Sequence, residues 1–165
     1  FQMFFVLIDK QKALKQNWND KKIYSETSVI MVKNFILSLL AQDNVKGRLV
    51  VESASAEKDF YFHKAAGYFL SNGINQINIS FSQVQDVLTE ISFVTKKNHD
   101  IEEQISDLLA YAAKLRFKKK KTINMSNYEK KITKILNSKI FKMNPSTGVK
   151  KKKYYSLIDS FNIIP

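Results

Sequence analysis

The chain contains no cysteine, which excludes disulfides and thiolate metal sites. It has only two histidines, His63 and His99, far apart in sequence, so a zinc centre built on histidine is not expected. No apolar run approaches the roughly 20 residues that span a bilayer. No cleavable signal is visible either, which makes a cytoplasmic location the expectation. The chain begins at Phe1 rather than methionine, leaving room for a further N-terminal piece. Acids are nearly missing from the last third. Residues 114–165 hold 15 Lys+Arg against 2 Asp+Glu, whereas residues 1–113 hold 12 against 13. The net charge of +12 therefore belongs to the C-terminal part. Such asymmetry points to a polyanion, nucleic acid first and an anionic membrane second. A solubilising lysine tail is the plainer alternative.

What is present fits one domain with an appendage. The 165 residues are 44% hydrophobic and 12% aromatic, enough for a core. Residues 2–9 form a near-continuous apolar run that reads as a strand buried on both faces. Residues 11–22 are polar and read as a connection. A helix is expected over 25–42, capped by Ser25 or Thr27, with Val29, Val32, Phe35, Ile36, Leu39 and Leu40 at helical spacing. A turn at 44–47 leads into a strand at 48–52. Ser53 or Ser55 caps the next helix, which Asn72-Gly73 ends as a left-handed cap. Residues 74–81 alternate and read as an exposed strand or link. A strand at 90–95 precedes a helix at 100–116, with Asp100 and Glu103 as a capping box. Strand and helix thus alternate three times, which predicts an α/β domain with a largely parallel sheet. Beyond Phe117 come lysine runs at 118–121 and 150–153. A basic helix over 126–138 is expected, with Tyr128, Ile132, Ile135 and Leu136 on one face. An apolar end, 154–164, can dock back as a strand.

Three segments resemble the domain-of-unknown-function family 3800. They are Gly47-Arg48-Leu49-Val50-Val51-Glu52-Ser53, the helix ending at Gly73, and Ile105-Ser106-Asp107-Leu108-Leu109-Ala110-Tyr111. The resemblance covers roughly residues 1–117. It implies a ribonuclease H-like mixed sheet with helices on its faces, followed by a basic extension over 118–165. It also implies divalent-metal nuclease chemistry, with Mg²⁺ or Mn²⁺ held by carboxylates. The family's opening Asp-Glu-Ser strand has no counterpart here, and Ser106 stands where alanine is expected. Residues 2–9 then match the third strand of such a sheet, and the first two strands lack a match. The first strand would lie between 2–9 and 48–52. The gap calls for N-terminal residues, a second chain, or residues 154–164 folding back.

The resemblance makes Glu52 and Asp107 the catalytic, metal-binding acids. Chemistry agrees. A strand C-terminus aims its side chain into the crevice of an α/β sheet, and carboxylate oxygens suit Mg²⁺. The plain reading of Glu52 is a solvated strand end. Asp107 lies amid Ile101, Ile105, Leu108, Ala112 and Leu115, where a carboxylate requires a partner or metal; pairing with Lys97 or Lys114 is the alternative. Glu103, one turn earlier on the same face, is a second candidate ligand or simply a cap. Asp9 is a degenerate first ligand. Lys96 and Lys97 can hold a scissile phosphate, and His99 can shuttle a proton. His63 reads as structural. Trp18 and Tyr24 read as packing aromatics, with base stacking as the alternative. Lys118, Lys119, Lys120 and Lys121, with Lys150, Lys151, Lys152 and Lys153, are the expected contacts to DNA or RNA. The functional expectation is a metal-dependent nuclease-type domain. The rival is a non-catalytic nucleic-acid-binding or assembly module on the same scaffold.

Overall fold

The computed structural model describes residues 2–95, 101–119, 121–143, 148 and 150–165, and omits the side chains of Glu102 and Glu103. Among the described residues, eleven strands and α-helices follow one another. They are β1 (Phe5–Ile8), α1 (Lys10–Lys15), α2 (Asp20–Leu40), β2 (Gly47–Glu52), α3 (Ala56–Asn72), α4 (Phe81–Val87), β3 (Leu88–Val94), α5 (Ile101–Phe117), α6 (Asn127–Lys139), α7 (Lys152–Tyr155) and β4 (Phe161–Ile164).

The domain is α/β, with helix predominating, but its described strands do not make one mixed sheet. They form two parallel pairs, β1 with β4 and β2 with β3. Phe5 stands opposite Phe161 in the first pair, and Glu52 opposite Val94 in the second. The C-terminal end does fold back, and among the described residues its strand β4 pairs with β1. Met3 continues the same edge, taking a hydrogen bond from Phe141 and donating one to Lys139.

Two apolar clusters hold the elements. The first joins Val32, Ile36, Leu37 and Leu40 of α2 to Ala65, Ala66 and Phe69 of α3, with Ile74, Ile79, Val84 and Leu88 closing it. The second joins Phe5 to Leu109, Ala112, Ala113 and Leu115 of α5 and to Ile132, Leu136 and Ile140. Each fully buried large aliphatic side chain contributes about 1.5–3 kcal/mol. Among the described residues, α2 is the one helix long and apolar enough to cross a membrane. Its inner face supplies much of the first cluster.

The residues beyond 117 are woven into both clusters. Tyr154 and Ile158 pack on the first and Phe161 on the second. The Asn34 amide, fully buried on α2, donates to the Asp159 carbonyl at 2.8 Å. The Lys150 and Lys151 amides both donate to the Ala41 carbonyl.

Local chemistry sets the boundaries, several of them away from the expected places. Residues 11–22 are largely helical. Asn17 turns left-handed at φ 56 to end α1, and the Trp18 amide donates back to the Ala13 carbonyl. Asn19, rather than Ser25 or Thr27, caps α2 by accepting from the Lys22 amide at 2.9 Å. Gly73 ends α3 with φ 71 and ψ −157, a region open essentially to glycine, not the left-handed helical cap expected. Ile74 and Ile79 bridge each other around a 3-10 turn at 75–77 and are both buried, so this stretch is no exposed strand. A reciprocal Ser80–Gln83 capping box then starts α4.

Candidate functional site

β2 delivers Glu52 to its C-terminal end, exposed and level with the end of β3. The Ser53 amide still donates to the Val94 carbonyl at 2.8 Å, so the pairing runs one residue past the acid. The chain leaving Glu52 is then fixed by α3. Asp59 accepts the Ser53 hydroxyl at 2.5 Å and the Ala54 amide at 3.1 Å. Ser55 caps α3 through the Lys58 amide. The Ser53 hydroxyl chiefly holds the Asp59 carboxyl below its ordinary range. The Ala54 and Ser55 amides and His63 add to this, against a desolvation that opposes them. The His63 ring stacks on Phe93 of β3, with centroids 4.5 Å apart. His63 is otherwise exposed. Asp59 was not among the expected residues; only its position in the first turn of a capped helix signals it.

Asp107 sits on the exposed side of α5. The buried side consists of Leu109, Ala112, Ala113 and Leu115, while Ile101 and Leu108 also face outward. Of the apolar stripe expected around Asp107, Ala112 and Leu115 are buried while Ile101 and Leu108 turn outward with the acid. Glu52 and Asp107 stand on elements of different clusters. β2 and β3 pack on α2 and α3, whereas α5 packs on β1 and α6.

Asp9 directly follows β1 and caps α1. Its Oδ1 accepts the Lys12 amide at 3.2 Å, and its Oδ2 lies 3.9 Å from Lys12 Nζ. The Glu103 side chain and His99 lie outside the described residues, as do Lys96, Lys97, Asp100 and Lys120. Carboxylate oxygens are the donors that Mg²⁺ and Mn²⁺ prefer. However, the described residues contain no group of three His, Cys, Asp or Glu that could hold a metal. The donor chemistry fits; among the described residues, fewer than three such donors are gathered in one place.

The expected basic contacts divide into two sets. Lys118, Lys119 and Lys121 are exposed in the link after α5. Lys150 and Lys151 instead pair with Asp43, at 3.6 and 3.3 Å. Lys152 and Lys153 are exposed on α7, with Lys153 Nζ 5.8 Å from the Tyr154 ring centroid. Trp18 and Tyr24 line a groove of about 480 Å³ between α1 and α2. Lys22 lies over the Trp18 ring and Lys58 over the Tyr24 ring.

The basic helix expected over 126–138 is present as α6, with Lys130, Lys131 and Lys134 exposed and roughly opposite Ile132 and Leu136. Tyr128 and Ile135, expected on one face with Ile132 and Leu136, instead face outward. No protein-family model, curated protein or solved structure matches the chain.

Proposed function

We propose that the chain is the nucleic-acid-engaging part of a ribonuclease H-like, divalent-metal nuclease-type domain. The observation that carries this reading is the position of Glu52. It ends a parallel strand, level with the end of the neighbouring strand, whose continuation is the helix bearing Asp107. Crevices outside strand carboxyl ends are where open α/β sheets bind ligands. Apart from the short inserted α4, the succession β2, α3, β3, α5 resembles the second half of a ribonuclease H-like order. The motifs resembling family 3800 fall on these elements. The basic excess after residue 113 supplies attraction for a phosphate backbone.

A specific observation favours a second reading, binding without cleavage. Asp9 is engaged as a helix cap, so it is not a free third carboxylate. Mn²⁺ titration followed by electron paramagnetic resonance, alongside oligonucleotide binding followed by anisotropy, separates the two. The nuclease-type reading expects Glu52→Ala and Asp107→Ala each to weaken Mn²⁺ binding while leaving the fold and the oligonucleotide affinity intact. Mn²⁺ binding indifferent to both substitutions, in a protein that still binds oligonucleotide, would leave the binding module. A parent protein that binds no oligonucleotide would end both.

A further inference from the structure

We infer that the outward face of α6, formed by Lys130, Lys131 and Lys134, is a phosphate-contacting surface of this chain. The inference rests on the nucleic-acid reading and assigns it to residues outside the lysine runs at 118–121 and 150–153.

Residues 114–143 contain eleven Lys+Arg and a single acid, Glu129. That acid is buried, with 8% of its surface exposed. Its carboxylate accepts the Ser126 amide at 2.8 Å and the Tyr111 hydroxyl at 3.1 Å. It therefore lies on the inner side of α6 with Ile132 and Leu136. At about 100° per residue, Lys130, Lys131 and Lys134 sit roughly opposite this set. All three are exposed, and none is ion-paired among the described residues.

Lys118, Lys119, Lys121, Lys152 and Lys153 are likewise exposed and outside the ion pairs among the described residues, whereas five other lysines are paired. Lys12, Lys21, Lys22, Lys150 and Lys151 each have a carboxylate partner. Lys130, Lys131 and Lys134 form a one-sign surface with no counter-charge paired to them among the described residues. Such a surface condenses anions and gains by exchanging them for a polyanion.

The face is also held in place. Tyr111 contacts Glu129, and Arg116 donates to Asn137 at 3.3 Å. The two contacts advance in the same sense, so α6 lies along α5 as a fixed platform. Tyr128, 55% exposed, flanks the lysines and offers a ring for an unpaired base.

An anionic membrane is the competing polyanion. A helix that lies in a membrane interface needs a free apolar face. Ile132 and Leu136 of α6 are buried against α5, and the apolar surface it leaves free is only the narrow strip of Tyr128 and Ile135. This favours nucleic acid.

The test is the triple variant Lys130→Gln, Lys131→Gln, Lys134→Gln against the pair Lys150→Gln, Lys151→Gln. Affinity for mixed-sequence DNA and RNA oligonucleotides is read by anisotropy across a salt series, with far-UV circular dichroism confirming the fold. The triple variant is expected to lose about 100-fold in affinity near 0.15 M salt. The slope of log K against log salt should flatten by about 2.7 on duplex or about 2.1 on single strands. The pair should lose less, since Asp43 already partners both lysines. A folded triple variant that binds oligonucleotide like the parent overturns the inference and leaves the broader nucleic-acid reading standing. Loss of binding to phosphatidylserine vesicles with oligonucleotide affinity unchanged overturns it in favour of a membrane. A parent that binds no oligonucleotide removes both readings together.

Discussion

The Ser53 hydroxyl donates to Asp59 Oδ2 at 2.5 Å, tying the residue after Glu52 to the first turn of α3. The same carboxylate takes the Ala54 amide, so two consecutive residues leaving β2 are fixed by one side chain. Glu52 is thus exposed at the end of a strand whose exit is rigid. A carboxylate held in this way loses less freedom on meeting a cation than one on a loose loop.

Asp59 predicts an acid-sensitive brace. Its folded carboxyl titrates below the ordinary 3.8. The stability it contributes is therefore complete above that value and is lost as pH falls through the lower folded value. Thermal unfolding between about pH 5 and about pH 3 should fall more steeply for the parent than for Asp59→Asn. Parallel curves would show that the brace carries no linked proton. At neutral pH, Asp59→Ala should cost about 1 kcal/mol through the lost hydrogen bonds.

Gly73→Ala should be among the most damaging single methyl additions in the chain. The backbone there has φ 71, and an added Cβ would lie 2.2 Å from the Ile79 carbonyl oxygen. That oxygen accepts from the Ile74 amide, so it cannot retreat without opening the bridge that buries Ile74 and Ile79. A loss of about 3 kcal/mol or more is expected in denaturant titration. Gly67→Ala is the control, because nothing lies within 4 Å of a Cβ there. It should be neutral or stabilising, as alanine is the better helix former.

Asp9→Ala separates a structural acid from a ligand. With its two oxygens on the Lys12 amide and ammonium, Asp9 should behave as a cap. Replacement should cost about 0.5–2 kcal/mol. Asn, which retains the accepting oxygen, should recover most of that loss. Mn²⁺ affinity should be the same in all three proteins. A drop in Mn²⁺ binding for Asp9→Asn at unchanged stability would instead make Asp9 a ligand.

The elements legible in the sequence were those with a strong period and a single environment. β1, β2 and β3, the body of α3, α5 and α6 all have apolar residues at regular spacing. What escaped was decided by polar or distant partners. α1 and the start of α2 carry little apolar signal, and their limits come from Asn17 and Asn19. α4 is seven residues long, too short for a periodic signature, yet its Ser80–Gln83 box was readable. Asp107 illustrates a phase error. One position of rotation on α5 separates a carboxylate in the apolar stripe from one beside it, and packing on β1 and α6 fixes that rotation. Glu52 at the end of a strand was legible because the apolar run Leu49–Val51 stops at it; the alternating burial that leaves Val50 and Glu52 outward was not. Its brace, Asp59, needed the geometry.

The last prediction concerns Glu129, where charge and structure pull in opposite directions. By net charge alone, Glu129→Ala makes the chain more basic and should tighten binding to nucleic acid. Structurally, Glu129 closes the Ser126 capping box and accepts the Tyr111 hydroxyl from α5. Its removal leaves the Ser126 amide without that acceptor and weakens the first turn of α6. The expected loss of stability is about 1–2 kcal/mol. Glu129→Gln, which retains an acceptor, should lose less. The first turn holds Tyr128, Lys130 and Lys131 in register, so its fraying spreads the cations that must meet successive phosphates. Oligonucleotide affinity of Glu129→Ala should therefore not rise despite the added net charge. A tenfold gain in affinity, with a steeper salt dependence, would show that the Glu129 charge opposes the ligand directly and that an ordered first turn is not needed for binding.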